Sequence, residues 1–232
     1  MLKKKLRTLL LLFLLMVSLS GCGAKAGKEK AKALLEEKYG ESFTVTDYQA
    51  PDLGRAYYTV TAYADKWPDL PFEAFPDEDG GRIADGYVCR RVCEKISETV
   101  TENLSDLIPC EIFVHTAMMG SDSVCADPDV SIEEFSTVWE PDNRYYVYLH
   151  VDNKNWDGSD VSGYLIYALS GLSGIKGNMT VYFSDQETIG AAEEYVRTHT
   201  GIYDSYFAEI ERKRKTKSAQ YGFGEGRVLN AY

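Results

Sequence analysis

The chain has 232 residues, of which 44% are hydrophobic, and it carries 25 basic against 36 acidic side chains. The apolar content and the 17 tyrosines are typical of a folded protein and exclude an intrinsically disordered one. The formal charge of −11 excludes nucleic acid as a partner, because affinity for nucleic acid depends on neutralising phosphates.

The first 21 residues have the three-part order of a secretion signal. Four basic side chains lie within the first seven residues and precede an apolar run from residue 9 to residue 17. This run is about half of the roughly 20 residues that a membrane-spanning helix needs. Small and polar residues then lead to Cys22. We therefore predict that residues 1–21 are a signal peptide that is removed on export.

The end of this signal, Leu19-Ser20-Gly21-Cys22, resembles the lipobox of bacterial prolipoproteins. The resemblance implies that diacylglycerol is attached to the Cys22 thiol and that a dedicated peptidase cuts just before this cysteine. Cys22 would then be the lipid-bearing first residue, stably anchored by its acyl chains to the extracytoplasmic face of a bacterial membrane. Gly23 follows in place of the aspartate that retains Gram-negative lipoproteins in the inner membrane. A plain secretory signal with an incidental cysteine is the alternative.

The predicted mature chain is more acidic than the precursor. The signal holds four of the 25 basic residues and no acidic one, so 21 basic and 36 acidic side chains remain, a formal charge of −15. Anionic lipid repels such a surface, so attachment must depend on Cys22 rather than on charge. Residues 22–30 are small and lysine-rich and predict a short tether. The basic run at 212–217 predicts the solvated end of a helix, with phospholipid headgroups or an anionic wall polymer as alternative contacts.

Residues 31–217 predict an α+β domain, with a mainly antiparallel sheet and helices packed on one face. Apolar residues at helical spacing between 83 and 107 predict the longest helix, which Pro109 ends. Residues 218–232 are predicted to form a C-terminal tail. Other predicted elements are strands at 43–48, 57–63, 71–75, 110–115, 145–151 and 179–183, helices at 31–39, 187–199 and 203–217, and a helix or strand at 163–172.

Two stretches of this order resemble each other. The tyrosine pair at 57–58 opens a strand that is followed by a turn, a helix and a second strand, and the pair at 145–146 opens a similar series. One interpretation is a duplicated strand-helix-strand unit, with halves at about 31–120 and 140–217. Chance recurrence in a tyrosine-rich chain is the other interpretation.

Four cysteines remain once Cys22 is acylated, namely Cys89, Cys93, Cys110 and Cys125. An even number in an exported chain admits two disulfides. Cys89 and Cys93 lie one turn apart on the same predicted helix, so each is expected to reach Cys110 or Cys125. Buried free thiols are the main alternative. Zinc is not indicated, because the C-x-x-x-C spacing lacks a second close pair.

No motif in the chain predicts catalysis, a metal site or a cofactor. Residues 153–158 match the first half of an EF-hand loop, but the later ligand positions hold Val161 and Tyr164, so we predict a polar turn. A calcium loop of another geometry, using Asp152, Asp157 and Asp160, is the alternative. Ser173 lacks the final glycine of a nucleophile elbow. His115 and His150 fall on predicted strands, where a lone histidine is usually structural.

Aromatic side chains are the remaining functional signal. Adjacent residues of a strand point to opposite faces, so one tyrosine of each pair is expected to be exposed. Exposed tyrosine and tryptophan favour protein or sugar contacts, whereas packing beneath the helices is the alternative. The candidate ligand-contact aromatics are Tyr57, Tyr58, Trp67, Tyr145, Tyr146 and Trp156.

These observations together predict a membrane-anchored binding or interaction module at the cell surface. Its partner would be an envelope protein, a peptide or a wall glycan. An envelope hydrolase with dispersed site residues and an accessory subunit of a membrane complex are the alternative functions.

Overall fold

The computed structural model describes residues 23–53, 56–77, 79, 81–118, 123–152, 154, 161–200, 217–224 and 227–231. These residues form two compact units. The first contains the described residues up to Trp67 together with Glu73–Ala84, and the second contains Pro68–Phe72 and the described residues from Asp85 onward. The lipobox, residues 203–216 of the helix predicted at 203–217, the EF-hand-like loop other than Lys154, and Trp156 lie outside the described residues.

The first unit is a helix, α1 (23–39), with a four-stranded sheet in the order β1-β2-β3-β4. Ala31 and Leu35 on α1 are fully buried, and Gly40 ends the helix with a φ of +67°. The predicted tether at 22–30 is wrong from residue 23 onward, because small residues let this stretch pack as helix against the sheet. The strands are β1 (Phe43–Gln49), β2 (Thr59–Ala64), β3 (Phe72–Pro76) and β4 (Ile83–Asp85).

The second unit is built around a five-stranded sheet in the order β5-β6-β7-β8-β9. Strands β6 and β7 are parallel, and the other three pairs of neighbours are antiparallel. The elements in chain order are α2 (Tyr87–Ser105), β5 (Ile112–Met118), α3 (Ile132–Glu134), a π-helical turn π1 (Phe135–Trp139), β6 (Tyr145–Asp152), α4 (Val161–Ala168), β7 (Lys176–Ser184), α5 (Gln186–Thr198), β8 (Lys217–Gly224) and β9 (Arg227–Ala231).

Helices cover both faces of this second sheet. Ser97 on α2 donates a hydrogen bond to Thr116 of β5 at 3.0 Å between the two hydroxyl oxygens. Helix α5 packs on the opposite face, where Val196 meets Tyr148 and Tyr182. The α+β class is confirmed. The prediction that helices pack on one face is wrong for this sheet. The parallel pair β6 and β7 needs a crossover helix, and strands in such a sheet are buried on both faces.

The proposed duplication does not match the sheet topology. Strand β2 belongs to the four-stranded sheet and β5 to the five-stranded one, so the first proposed copy spans two sheets. Strands β6 and β7 are parallel neighbours within one sheet. The recurring tyrosine pairs therefore open strands in different surroundings.

Two boundaries also differ from the sequence prediction. Residues 83–85, placed at the start of the long helix, pair as β4. The predicted tail forms β8 and β9, and Phe223 of β8 is buried. Glycines at 222 and 224 interrupt the alternation of side chains there, which hides a strand whose stability comes from pairing with β7.

Candidate functional site

The segment between β5 and β6 contains a π-helical turn that exposes two large apolar side chains. Ser131 caps the start of α3, and its Oγ accepts a hydrogen bond from the amide of Glu134 at 3.1 Å. The turn Phe135–Trp139 follows, with Phe135 fully buried and Val138 and Trp139 exposed by 65% and 39%. Turns of this kind are frequent at functional sites.

A buried hydrogen bond holds π1 against the sheet. The hydroxyl oxygens of Ser136 and Tyr145 are 2.7 Å apart, and both residues are buried. Burial raises the pKa of the Tyr145 phenol, so it keeps its proton at physiological pH. This contact fixes the orientation of the exposed pair that follows Ser136.

Helix α4 presents a second exposed apolar pair. Leu165 and Ala168 are buried, whereas Ile166 and Tyr167 are 59% and 61% exposed. Asn103 of α2 donates from Nδ2 to the carbonyl oxygens of Ala168 and Ser170 at 3.2 and 2.9 Å. These bonds satisfy the last carbonyl of α4, which the helix itself leaves unpaired, and one carbonyl just beyond the helix.

The turn that follows α4 contacts π1 directly. Gly174 has a φ of +79°, and a Cβ at this position would lie 2.8 Å from Cγ2 of Thr137. Glycine is therefore needed both for the backbone conformation and for the close approach. The turn after α4 thus reaches π1, and we call the exposed large apolar side chains of π1 and α4, namely Val138, Trp139, Ile166 and Tyr167, the apolar surface.

Acidic side chains precede and follow the exposed pair of π1. The lysines near this segment are engaged: Lys95 Nζ donates to the carbonyl oxygen of Val130 at 2.9 Å, and Lys176 Nζ donates to that of Pro141 at 2.8 Å. Six carboxylates outnumber the cations Lys95, Arg144 and Lys176, the last of which lies 3.8 Å from Asp142, so this part of the unit keeps a net negative charge. The carboxylates belong to Asp127, Asp129, Glu133, Glu134, Glu140 and Asp142.

The carboxyl ends of β6 and β7 form a second candidate site. The chain leaves β6 for α4 on the α2 face of the sheet and leaves β7 for α5 on the other face. In open sheets, ligands bind at such a topological switch point. The polar residues there are His150, Asp152 and Ser184, and none is more than 2% exposed.

Burial gives this second cluster a structural role. His150 Nδ1 lies 3.3 Å from the Ser184 hydroxyl oxygen, and the His150 ring stacks on Tyr182 with centroids 4.8 Å apart. Burial lowers the pKa of His150 to about 3, so the ring is neutral and a weak base at physiological pH. At 2% exposure, Ser184 offers a substrate little access. The contact joins β6 to β7.

The other two histidines also have local structural partners. His115 is buried and stacks on Tyr148, and burial holds its pKa well below the usual value. His199 stacks on Tyr195 at the end of α5, with its Nδ1 3.1 Å from the Tyr195 carbonyl oxygen. Neither arrangement brings a histidine to the apolar surface.

The aromatic candidates named from the sequence lie in different surroundings. Tyr145 is buried and bonded to Ser136, so its prediction as a ligand contact is wrong. Tyr146 packs in the cluster under α5, and Tyr58 lies against α1 with its hydroxyl 3.4 Å from the Gly27 carbonyl oxygen. Trp67 is half-buried, and Tyr57 is 44% exposed.

Sequence reasoning missed the four residues of the apolar surface. Val138 and Trp139 lie in a short turn without helical periodicity, so no pattern predicted their exposure. The stretch Val161–Ala168 did carry a signal, because it is apolar on nearly every side. A short helix of this composition cannot bury all its side chains against one neighbour.

The predicted disulfides are wrong for the four described cysteines, all of which are free thiols. They are held beside different elements. Cys93 lies on the buried side of α2, where burial raises its pKa to about 12. Cys125 lies in the loop before α3, with Sγ 3.8 Å from the Asp127 carbonyl oxygen. Buried thiols behave as small apolar groups, which suits Cys89 and Cys93 in the core.

Within the described residues, no group of three histidine, cysteine or acidic side chains is arranged to hold a metal ion. The acidic stretch after β3 forms a turn, in which the Asp77 carboxylate accepts hydrogen bonds from the amides of Gly81 and Arg82 at 2.8 and 3.2 Å. That side chain is therefore used to fold the connection between β3 and β4.

No protein-family model and no curated protein matches the chain. Its fold is similar to the crystal structure of a DUF5037 family protein from Ruminococcus gnavus ATCC 29149, with a TM-score of 0.63. The two sequences are 18% identical, and the match covers 88% of this chain and 94% of that chain. At this identity the likeness extends to the fold alone. No helix in the described part of the chain is both long and apolar enough to cross a membrane.

Proposed function

We propose that this protein is a lipid-anchored extracytoplasmic lipoprotein whose second unit binds a protein partner at the cell surface. The apolar surface is the observation that carries the binding proposal. Two pairs of large apolar side chains, one with a tryptophan and one with a tyrosine, are exposed on π1 and on α4, and the turn that follows α4 contacts π1. Exposed apolar groups of this kind mark interaction sites, and tryptophan and tyrosine often dominate the binding energy.

The composition of the surface favours a basic protein segment as the partner. Val138 and Ile166 offer branched aliphatic contacts beside the aromatic rings, which suits apolar side chains better than sugar hydroxyls. The exposed carboxylates before and after π1 attract cationic groups and repel acidic ones. A segment with apolar anchors and flanking lysine or arginine matches both features.

The anchor part of the proposal rests on Cys22 and the signal before it. A Cys22→Ala variant is expected to lose lipid labelling and partitioning into detergent, because the acylated thiol is removed. Cys110→Ala is the matched control, since this half-buried thiol lies inside the second unit. If the Cys22→Ala variant still partitions with the membrane, the anchor assignment is wrong.

The binding part is tested by crosslinking in intact cells followed by pull-down of the anchored protein. Trp139→Ser and Ile166→Ser are each expected to lower partner recovery about tenfold or more, as interface anchors cost roughly 2 kcal/mol or more when truncated. Glu37→Ser, which changes an exposed side chain of α1 in the first unit, is expected to leave recovery unchanged.

Equal recovery by all four proteins, or no specific partner at all, would contradict the binding proposal. A partner that stays bound in equal amount through purification in detergent would identify the accessory-subunit alternative.

A further inference from the structure

Helix α1 lies alongside β1 and runs in the opposite direction. At one end the rings of Tyr39 and Phe43 are 5.9 Å apart. Toward the other end, Lys28 Nζ donates to the Thr46 carbonyl oxygen at 2.6 Å, and Gly27 lies against the ring of Tyr48. The beginning of α1 is therefore located beside the end of β1.

This arrangement places the anchored end of the chain beside the connection between β1 and β2. Gly23 lies four residues before Gly27, which is about 6 Å along a helix axis. The Cα of Cys22 is about 3.8 Å from that of Gly23 by covalent geometry. The connection from Gln49 to Thr59 leaves the sheet at this same end.

Two large apolar side chains are exposed in that connection. Leu53 is as exposed as in an extended chain, at 111%, and Tyr57 is 44% exposed, with its ring edge against Phe75 at 5.9 Å between centroids. Every other large hydrophobic side chain described in the first unit is less exposed than these two. The exposed apolar groups of the unit are thus concentrated at the end that carries the anchor.

The chemistry of this end suits the boundary between lipid headgroups and acyl chains. Leucine inserts readily into the apolar layer, and tyrosine is enriched at membrane interfaces because its ring is apolar and its hydroxyl polar. Residues 23–32 contain four lysines and one glutamate, a basic stretch in an otherwise acidic chain. Lysines at this level can pair with lipid phosphates while their stems cover apolar surface.

We propose that Leu53 and Tyr57 rest in the headgroup layer of the membrane that anchors Cys22, so that the first unit contacts the bilayer in two places. This inference depends on the proposed lipid anchor. Because a single peptide bond joins Cys22 to the first residue of α1, the connection stays next to the bilayer once the acyl chains have inserted. The lipid therefore sets which end of the first unit faces the membrane, in addition to attaching it.

The test places one extra tryptophan at either end of the first unit in the acylated protein. Leu53→Trp and Glu37→Trp are compared in vesicles of phosphatidylcholine and in vesicles of the same lipid brominated near the glycerol end of its acyl chains. Glu37 is exposed on α1 toward the end far from Leu53, and the three native tryptophans are common to both proteins. The mass of the N-terminal peptide is measured on the same samples.

The fluorescence added by Leu53→Trp is expected to be largely lost in brominated vesicles, while that added by Glu37→Trp is kept. Equal retention at both positions on acylated protein would overturn the second contact and leave the anchor standing. Equal loss at both positions would overturn the proposed orientation. An N-terminal peptide without acyl chains would overturn the anchor, and the inference with it.

Discussion

The hydrogen bond between Ser136 and Tyr145 gives the most specific stability prediction, because it holds π1 in place. Tyr145→Phe leaves the buried Ser136 hydroxyl without this partner, and Ser136→Ala leaves the buried phenol without it. Each change is expected to lower the free energy of unfolding of the second unit by roughly 1–3 kcal/mol. At an m-value of about 2 kcal/mol per molar urea, a loss of about 2 kcal/mol moves the midpoint by about 1 M.

The double variant separates this bond from general loss of packing. With both hydroxyls removed no polar group is left unpaired, so the combined loss is expected to be smaller than the sum of the single losses by about 1 kcal/mol. Urea unfolding, followed by circular dichroism, provides the four free energies, and hydrogen exchange of residues 135–139 reports the loosening of π1. Strictly additive losses, with unchanged exchange, would refute the positioning role of this pair.

Three further predictions concern the thiols, His150 and Gly27. Reduction is expected to leave the intact mass of the protein unchanged, because the described cysteines are free thiols. Cys93 is expected to be alkylated only after unfolding, because burial raises its pKa to about 12. A mass gain on reduction would contradict the free thiols. Burial lowers the pKa of His150 to about 3 in the folded state, whereas the unfolded value is about 6.5. The free energy of unfolding is therefore highest above pH 6.5, and it decreases by up to roughly 1.4 kcal/mol for each pH unit as the pH drops toward 3. His150→Phe should flatten the dependence of the urea midpoint on pH, and an unchanged slope would sink this explanation. Gly27→Val is expected to speed hydrogen exchange in α1, because the new Cβ would lie 2.6 Å from the Tyr48 ring. Gly23→Val is the control and should not speed exchange, because nothing lies within 4 Å of its Cβ position. Equal exchange in both variants would contradict the packing of α1.

The sequence predicted the regular elements well where one periodicity dominated. The long helix Tyr87–Ser105 and the strand Tyr145–Asp152 both appear within a few residues of their predicted bounds. Their side chains recur at the spacing of a helix or of a strand, so the pattern reports the buried face directly. The α+β class followed from the same elements.

The pairing of strands was harder to predict, because it depends on distant partners. Nothing local in Lys217–Gly224 marks it as a strand, and its place beside β7 is decided by backbone pairing along eight residues. The parallel arrangement of β6 and β7 likewise follows from the crossover through α4 rather than from either strand alone. The prediction that helices cover one face of the sheet is wrong because this crossover cannot be read from either strand alone.

The exposed residues of the apolar surface could not be predicted from the alternation of side chains along strands. Alternation on a strand predicts that one tyrosine of each pair is exposed, but a sheet covered by helices on both faces buries Tyr145 and partly buries Tyr146. The exposed groups instead lie on short helical segments, where Trp139 has no periodic neighbours. Exposure there is decided by tertiary packing.

The most direct measurement of the binding proposal is a photocrosslink from the apolar surface in intact cells. A benzoylphenylalanine residue in place of Trp139 is expected to form one protein adduct, and a second change, Ile166→Ser, is expected to abolish it. The same photoreactive group in place of Glu37, on the first unit, should give no such adduct. Absence of an adduct from position 139, or an adduct that persists unchanged with Ile166→Ser, would contradict binding through this surface.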